Sequence, residues 1–104
     1  MTTFTVTLLT KTLEKSFGLI LYTKAKPILI YTRFGIHTFF MRYPIDVVVL
    51  SDTHTVVKIA KQLKPYRIFL WNPVYKTVLE LPEGSVTNHK LKIGSPITLS
   101  IKNE

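Results

Sequence analysis

The sequence contains no cysteine, few glycines and few acidic residues. Without cysteine there are no disulfide bonds, no thiolate metal sites and no thiol catalysis, so the hydrophobic core alone must stabilise the fold. The four glycines form neither a phosphate-binding loop nor a dinucleotide-binding motif, and no serine lies in a nucleophile elbow. These absences argue against nucleotide hydrolysis and α/β-hydrolase chemistry.

Long hydrophobic runs are also missing. No segment of the 104 residues is apolar for long enough to span a bilayer, and residues 1–10 lack a basic start followed by an unbroken apolar stretch. Hydrophobic residues make up 46% of the chain and charged residues 19%, which is typical of a globular protein. We therefore expect a single domain over residues 1–104, located in the cytoplasm and not bound to a membrane.

Acidic residues are outnumbered by basic ones. Fourteen Lys and Arg against six Asp and Glu give a net charge of +8 at pH 7. Such a charge attracts anions and nucleic acids without sequence preference. The cations are spread along the whole chain, as they would also be on an ordinary solvated surface. Charge alone therefore leaves nucleic-acid binding open.

Alternating apolar and polar residues predict most of the strands, since one side of a half-buried strand faces solvent. Phe4, Val6 and Leu8 alternate with threonines, which predicts a first strand. Residues 45–50 are apolar except for Asp46, which indicates a strand buried on both faces. Further strands are predicted at residues 27–32, 36–41, 55–59, 75–81 and 97–102.

Two short helices complete the predicted fold. The first covers residues 11–17 and ends near Gly18, and the second covers residues 83–91 with Ser85 as its N-cap. The chain is therefore predicted to be mainly β, in the sense of a β-rich α+β domain. We expect a single barrel-like or strongly curled antiparallel sheet with one or two short helices.

Several short motifs follow one another in an order that resembles the family called domain of unknown function 192. The motifs are Gly18-Leu19, residues 37–42 (His-Thr-Phe-Phe-Met-Arg), Pro44-Ile45-Asp46, residues 79–84 (Leu-Glu-Leu-Pro-Glu-Gly) and Ile93-Gly94. The resemblance covers nearly the whole chain. It implies a small, β-rich, barrel-like protein of archaea or bacteria, and it implies no particular activity.

The chain departs from the pattern of that family at three positions. Phe40 stands where tryptophan is common, and Ile20 stands where methionine often follows Gly-Leu. Ser95 replaces an acidic residue that often follows the late glycine. A function that relies on those side chains is not expected of this chain.

A candidate site follows from the alternation of side chains along the predicted strand at residues 36–41. His37 and Met41 would share one face, and Asp46 begins the next strand, where a buried carboxylate needs a partner. A shared pocket would allow proton transfer or ligand binding. The candidate ligand-binding residues are His37, Phe39, Met41, Arg42, Asp46 and Glu80.

A structural explanation of the same residues is the simpler one. Asp46 would accept main-chain N–H groups or pair with Arg42 to fix the turn at Pro44, and His37 would be a hydrogen-bonded wall residue. Glu80 alternates with leucines, so it would face solvent or line a cavity of a curled sheet. The residues leave open whether the protein is an enzyme or a binding module for a small ligand, an anion or a partner.

A second candidate surface lies near Pro65 and Pro73, which bracket either an edge strand or an aromatic loop. Its aromatic residues are Tyr66, Phe69 and Trp71, and its basic residues are Lys64 and Arg67. Aromatic rings beside cations are typical of proteins that stack single-stranded nucleic acid. The same rings would serve equally well in a core or in a homodimer interface, so a monomer and a homodimer both stay open.

No metal or cofactor is expected. Metal sites need several ligands at restrained spacing, and the histidines at positions 37, 54 and 89 lie far apart without a local pair. His54 falls in a predicted turn and His89 near a helix end, where a solvated imidazole is ordinary.

Overall fold

The structure is a computed structural model that describes residues 2–9, 26–33, 35–39 and 41–102. The described residues form eight strands and one short helix. The strands are β1 Thr2–Leu9, β2 Ile28–Tyr31, β3 Gly35–His37, β4 Ile45–Leu50, β5 Val56–Leu63, β6 Ile68–Leu70, β7 Thr77–Pro82 and β8 Ile97–Lys102, and the helix is α1 Ser85–Asn88. The helix predicted at residues 11–17 lies outside the described residues.

The strands form a large sheet and a small one. Six strands lie in the order β5-β4-β7-β2-β1-β8, while β3 and β6 pair separately as a two-stranded ribbon, here called the β3–β6 ribbon. The large sheet is mixed, because β1 pairs in parallel with both β2 and β8. The prediction of a wholly antiparallel sheet is therefore wrong, since the alternation of residues along one strand carries no information on the direction of its neighbours.

The large sheet does not close into a barrel in the described part of the chain. The beginnings of the edge strands β5 and β8 meet at a bridge between Thr55 and Pro96, where the Ile97 N–H donates to the His54 carbonyl at 2.9 Å and the Val56 N–H donates to the Ser95 carbonyl at 2.9 Å. No ladder joins the two edge strands beyond this point in the described part of the chain. Of the barrel-like or strongly curled sheet predicted from the sequence, the structure supports a mainly β, mixed sheet that is not a closed barrel.

Both faces of the large sheet are covered, which explains why β4 is buried along its whole length, as its apolar sequence predicts. The first face packs against α1 through Val86. The second face packs against the β3–β6 ribbon through Ile36 and Phe69. Even-numbered residues of β4 such as Val48 lie on the first face, and odd-numbered ones such as Val47 lie on the second.

Most predicted strands are confirmed, and the differences have local causes. The strand predicted at residues 36–41 ends at His37, because a turn follows in which the Met41 N–H donates to the Thr38 carbonyl at 3.2 Å. The second helix covers Ser85–Asn88, shorter than predicted, and its N-cap is Gly84 instead of Ser85. Gly84 has φ +90, a left-handed conformation that suits glycine.

Candidate functional site

Asp46 is a buried carboxylate held by main-chain amides. Its Oδ1 accepts the Gln62 N–H at 3.0 Å, and its Oδ2 accepts the Val86 N–H at 2.8 Å. Gln62 sits in a bulge of β5, with φ +52, where the register between β4 and β5 shifts. The carboxylate therefore fixes a bulge on one side and the first turn of α1 on the other, as the structural explanation proposed.

His37 and Asp46 lie on opposite sides of the large sheet. Asp46 shares the first face with Val48 and bonds to α1, whereas His37 belongs to the ribbon that covers the second face. The shared pocket proposed for these two side chains is therefore wrong. The Nδ1 atom of His37 instead accepts the Phe39 N–H at 3.3 Å, which leaves Nε2 to carry the proton of the neutral ring.

The turn after β3 separates His37 from Met41. Thr38 is fully buried, and its hydroxyl donates to the Lys64 carbonyl at 2.7 Å while accepting the Arg67 N–H at 2.8 Å. Met41 then turns inward and packs on the second face. The predicted common face of His37 and Met41 is thus wrong, because the alternation of a strand ends where the strand ends.

Glu80 is buried, so the solvent-facing alternative for this residue is wrong. It lies on β7, opposite Ile28 of β2 and Val47 of β4, on the second face of the sheet. Tyr43 is close enough for the pKa of its hydroxyl to depend on the charge of Glu80. Burial, and to a lesser degree the negative charge of Glu80, raises the pKa of the Tyr43 hydroxyl above its usual value of 10.0.

The outer surface of the β3–β6 ribbon forms an open apolar groove. Its volume is about 260 Å³, and its lining residues are Gly35, Ile36, His37, Phe39, Ile68 and Leu70. Ile68 and Leu70 are 62% and 60% exposed, whereas Phe69 between them points to the second face of the sheet. Strand β6 is therefore apolar on its solvent side as well as on its buried side.

Gly35 allows the two strands of the ribbon to approach closely. A Cβ atom at this position would lie 2.6 Å from Cδ2 of Leu70 and 2.7 Å from the carbonyl oxygen of Phe69. Its φ of +145 is also one that side chains rarely adopt. The floor of the groove at this end is consequently main chain, with the Leu70 side chain lying against it.

Two rings stack on each other at the other end of the groove. The centroids of His37 and Phe39 are 5.0 Å apart, and the Tyr66 ring lies tilted beside Phe39 with its centroid 6.4 Å away. His37 and Phe39 therefore each cover one face of the other ring. Tyr66 itself is 60% exposed and has φ +61.

The aromatic segment proposed for nucleic acid is mostly turned inward. Trp71 is buried and its Nε1 donates to the Tyr75 carbonyl at 2.9 Å, while Phe69 packs against the core. Tyr66 stays on the surface beside the exposed side chains of Lys64 and Arg67. The proposed row of three stacking rings is thus wrong for two of them.

A cationic side chain lies against the ribbon. The Lys58 Nζ lies 5.0 Å from the centroid of the Phe69 ring and donates to the Leu70 carbonyl at 2.6 Å. Arg42, predicted to hold an anion near His37, is exposed. In the described part of the chain no group of three His, Cys, Asp or Glu side chains is placed to hold a metal ion.

Sequence reasoning identified His37 and Phe39 but missed Gly35, Ile68 and Leu70. The sequence does contain a pattern that indicates these residues. Residues 68–70 are all apolar, and the flanking prolines confine the segment to an edge strand or a loop. A short edge strand with three apolar residues must expose at least one of them.

No helix among the described residues is long and apolar enough to cross a bilayer.

Comparisons with known proteins show the family of this chain and one solved structure with a similar fold. The profile of the domain of unknown function 192 family, described as an uncharacterized ACR, matches residues 2–99. A UPF0127 protein of Pyrococcus abyssi is 32% identical over 91 residues, which are 82% of this chain and 77% of the relative. A protein of unknown function from Novosphingobium aromaticivorans has a crystal structure with a TM-score of 0.73 and 19% identity, covering 84% of this chain and 69% of the other.

Proposed function

We propose that this chain, which belongs to the domain of unknown function 192 family, is a protein-binding module whose docking surface is the groove on the β3–β6 ribbon. The observation that carries the proposal is the exposure of Ile68 and Leu70 beside the stacked rings of His37 and Phe39. Clustered exposed apolar residues of this kind are typical of interaction sites.

The size and shape of the groove favour a protein partner over a small ligand. Small-molecule pockets usually enclose about 300 to 1,000 Å³ and bury most of their ligand. This groove has about 260 Å³ and is open to solvent. It is large enough for one or two apolar side chains of a partner, in the way that anchor residues fill shallow pockets at protein interfaces.

The chemistry of the site supports binding more than catalysis. His37 receives a main-chain N–H at Nδ1, and the carboxylate of Asp46 is engaged on the other side of the sheet. On the neutral imidazole Nδ1 carries the lone pair that a general base would use, and this atom already accepts the Phe39 N–H. The groove offers apolar contact area and one imidazole, which is the composition of a recognition surface.

A selection from displayed random peptides tests this proposal. The selected peptides are measured against the wild type, Leu70→Ser and Ile93→Ser. Ile93 is a matched control, because it is 62% exposed and lies outside the groove lining. Leu70 is similarly exposed, so neither substitution opens the core.

We expect selected peptides to carry an aliphatic or aromatic residue and to bind Leu70→Ser at least about tenfold more weakly than wild type, as for loss of an anchor contact. Binding to Ile93→Ser should equal that of the wild type. A selection that yields no peptides, or peptides that bind both variants equally well, would contradict the proposal.

A further inference from the structure

Building on the proposed function, we infer that the partner segment is acidic, with a central apolar side chain that enters the groove and flanking carboxylates that meet the cations around it. The chemical class of the partner follows from the distribution of charge in the segments that carry the groove, which is independent of the apolar lining of the groove itself.

The two segments that build the ribbon and its surroundings contain no acidic residue. Residues 26–45 and 56–79 include no Asp or Glu. Their basic residues are Lys26, Arg33, Arg42, Lys58, Lys61, Lys64, Arg67 and Lys76. The net charge of +8 is therefore concentrated in the part of the chain that carries the groove. The cations alone do not reveal this, because they are spread along the whole sequence.

The acidic residues of the described ranges do not offset this charge at the surface. Asp46 and Glu80 are both buried, the first on main-chain amides and the second on β7. Asp52 and Glu83 are exposed, but they belong to turns outside the two basic segments. The exposed charged side chains of the two segments are thus all positive, whereas Asp46 and Glu80 are withdrawn into the fold.

Several cationic groups near the ribbon contact main-chain carbonyls. Lys58 donates to the carbonyl of Leu70, Arg67 to that of Tyr66 at 3.4 Å, and Arg33 to that of Pro73 at 3.1 Å. Such contacts orient the side chains without neutralising their charge. An acidic partner would complement these charges, whereas a basic partner would be repelled.

A protein segment fits this surface better than a single-stranded nucleic acid. Stacking needs open aromatic faces, and the two rings in the groove lining, His37 and Phe39, are stacked on each other. The exposed groups that line the groove elsewhere are aliphatic, as in Ile68 and Leu70. Aliphatic walls accept aliphatic or aromatic side chains of a peptide without a preferred ring orientation.

Fluorescence anisotropy with three synthetic peptides tests the inference on the whole chain. The first peptide has a central Leu flanked by Glu, the second replaces each Glu with Gln, and the third keeps Glu but replaces Leu with Ser. A single-stranded oligonucleotide of the same net charge is the fourth probe. The protein is studied as wild type and as two charge-reversed pairs.

The first pair is Lys64→Glu with Arg67→Glu, whose side chains are exposed beside the ribbon. The control pair, Lys90→Glu with Lys92→Glu, changes the net charge equally at exposed positions that follow α1 on the first face. If the first pair lowers the unfolding midpoint, Lys64→Gln with Arg67→Gln replaces it.

We expect the Glu-Leu peptide to bind at least about tenfold more tightly than the Gln peptide, with the difference shrinking at high salt. The first pair should weaken its binding by about tenfold and the control pair by less than about threefold, since exposed charges act mainly within about 10 Å. Binding of the Ser peptide should be weak.

Each contrary result has its own meaning. Equal binding of the Gln and Glu peptides would overturn the acidic partner while leaving the groove intact. Equal binding of the Ser and Leu peptides would overturn the proposed function, because the groove would not be used. Tighter binding of the oligonucleotide than of the Glu-Leu peptide would overturn the choice of a protein partner.

Discussion

Asp46 and Val86 are joined by a hydrogen bond of 2.8 Å from the main-chain N–H in the first turn of α1 to the carboxylate on β4. Asp46 is also the register partner of Leu81 on β7. Two of the motifs that carry the resemblance to the family, Pro44-Ile45-Asp46 and residues 79–84, therefore meet at this carboxylate. The acidic residue that first suggested chemistry joins the sheet to the helix.

Replacement of Asp46 should cost stability and spare the groove. Asp46→Ala leaves the buried N–H groups of Gln62 and Val86 without their acceptors, and we expect a loss of about 3 kcal/mol in the free energy of unfolding. Asp46→Asn turns an amide NH₂ toward one of the two N–H groups and should cost about 1 to 3 kcal/mol. Urea denaturation measures both values.

The control is Asp52→Asn at an exposed turn position, expected to change stability by less than about 0.5 kcal/mol. Peptide binding per folded molecule should be unchanged in Asp46→Asn. A folded Asp46 variant that binds peptide much more weakly than wild type would show that the carboxylate has a role in binding after all.

Thr38 should be critical for the turn that follows β3. Thr38→Val keeps the shape of the side chain but removes the hydrogen bonds to the Lys64 carbonyl and the Arg67 N–H, at an expected cost of about 2 kcal/mol. Thr38→Ser keeps the hydroxyl and should cost about 1 kcal/mol for the lost methyl group. Thermal unfolding of both variants compares them, and an equal loss in the two would argue that packing alone explains the burial of Thr38.

Gly35 should be required for the shape of the groove. In Gly35→Ala the new Cβ collides with Leu70 and with the Phe69 carbonyl, so we expect a loss of about 2 to 4 kcal/mol together with weaker peptide binding. Gly94→Ala is the control, because Gly94 also has positive φ, +94, but nothing lies within 4 Å of its Cβ position. It should cost about 1 kcal/mol and leave binding unchanged. Equal effects of the two substitutions on binding would contradict the close approach described for Gly35.

The raised pKa of Tyr43 predicts that the stability of the fold depends on pH. Its pKa is raised in the folded state by burial and by Glu80, so above pH 10 the unfolded state loses its proton first and is stabilised relative to the folded state. The contribution of Tyr43 is therefore fully present below its usual pKa of 10.0 and is lost as the pH rises through the higher folded pKa. The difference in unfolding free energy between wild type and Tyr43→Phe should fall with pH in this range. A constant difference would show that the hydroxyl titrates alike in the two states.

The sequence predicts the strands of this fold better than their arrangement. Residues 45–50 form the strand that their apolar run predicts, because burial on both faces removes polar residues from every position. The parallel pairing of β1 with β8 joins the two ends of the chain, and no local pattern in either strand records it. The pairing of β3 with β6 in a separate ribbon was likewise not predicted, since both strands are only three residues long.

The candidate site was predicted only in part, for a similar reason. If residues 36–41 formed one strand, His37 and Met41 would lie on the same face. The turn at Thr38 instead directs Met41 to the second face of the sheet. The need of Asp46 for a partner was predicted correctly from the cost of burying a carboxylate. Its partners are main-chain amides of Gln62 and Val86, and amides are present at every residue except proline, so the sequence does not mark them.

Methyl NMR of the wild type titrated with the Glu-Leu peptide tests the docking surface most directly. We predict that the methyl signals of Ile68 and Leu70 shift together with a single Kd. Those of Ile93 and Ile101, which are also exposed but lie outside the groove lining, should stay in place. Shifts at Ile93 or Ile101 with no change at Ile68 and Leu70 would place binding elsewhere and contradict the account.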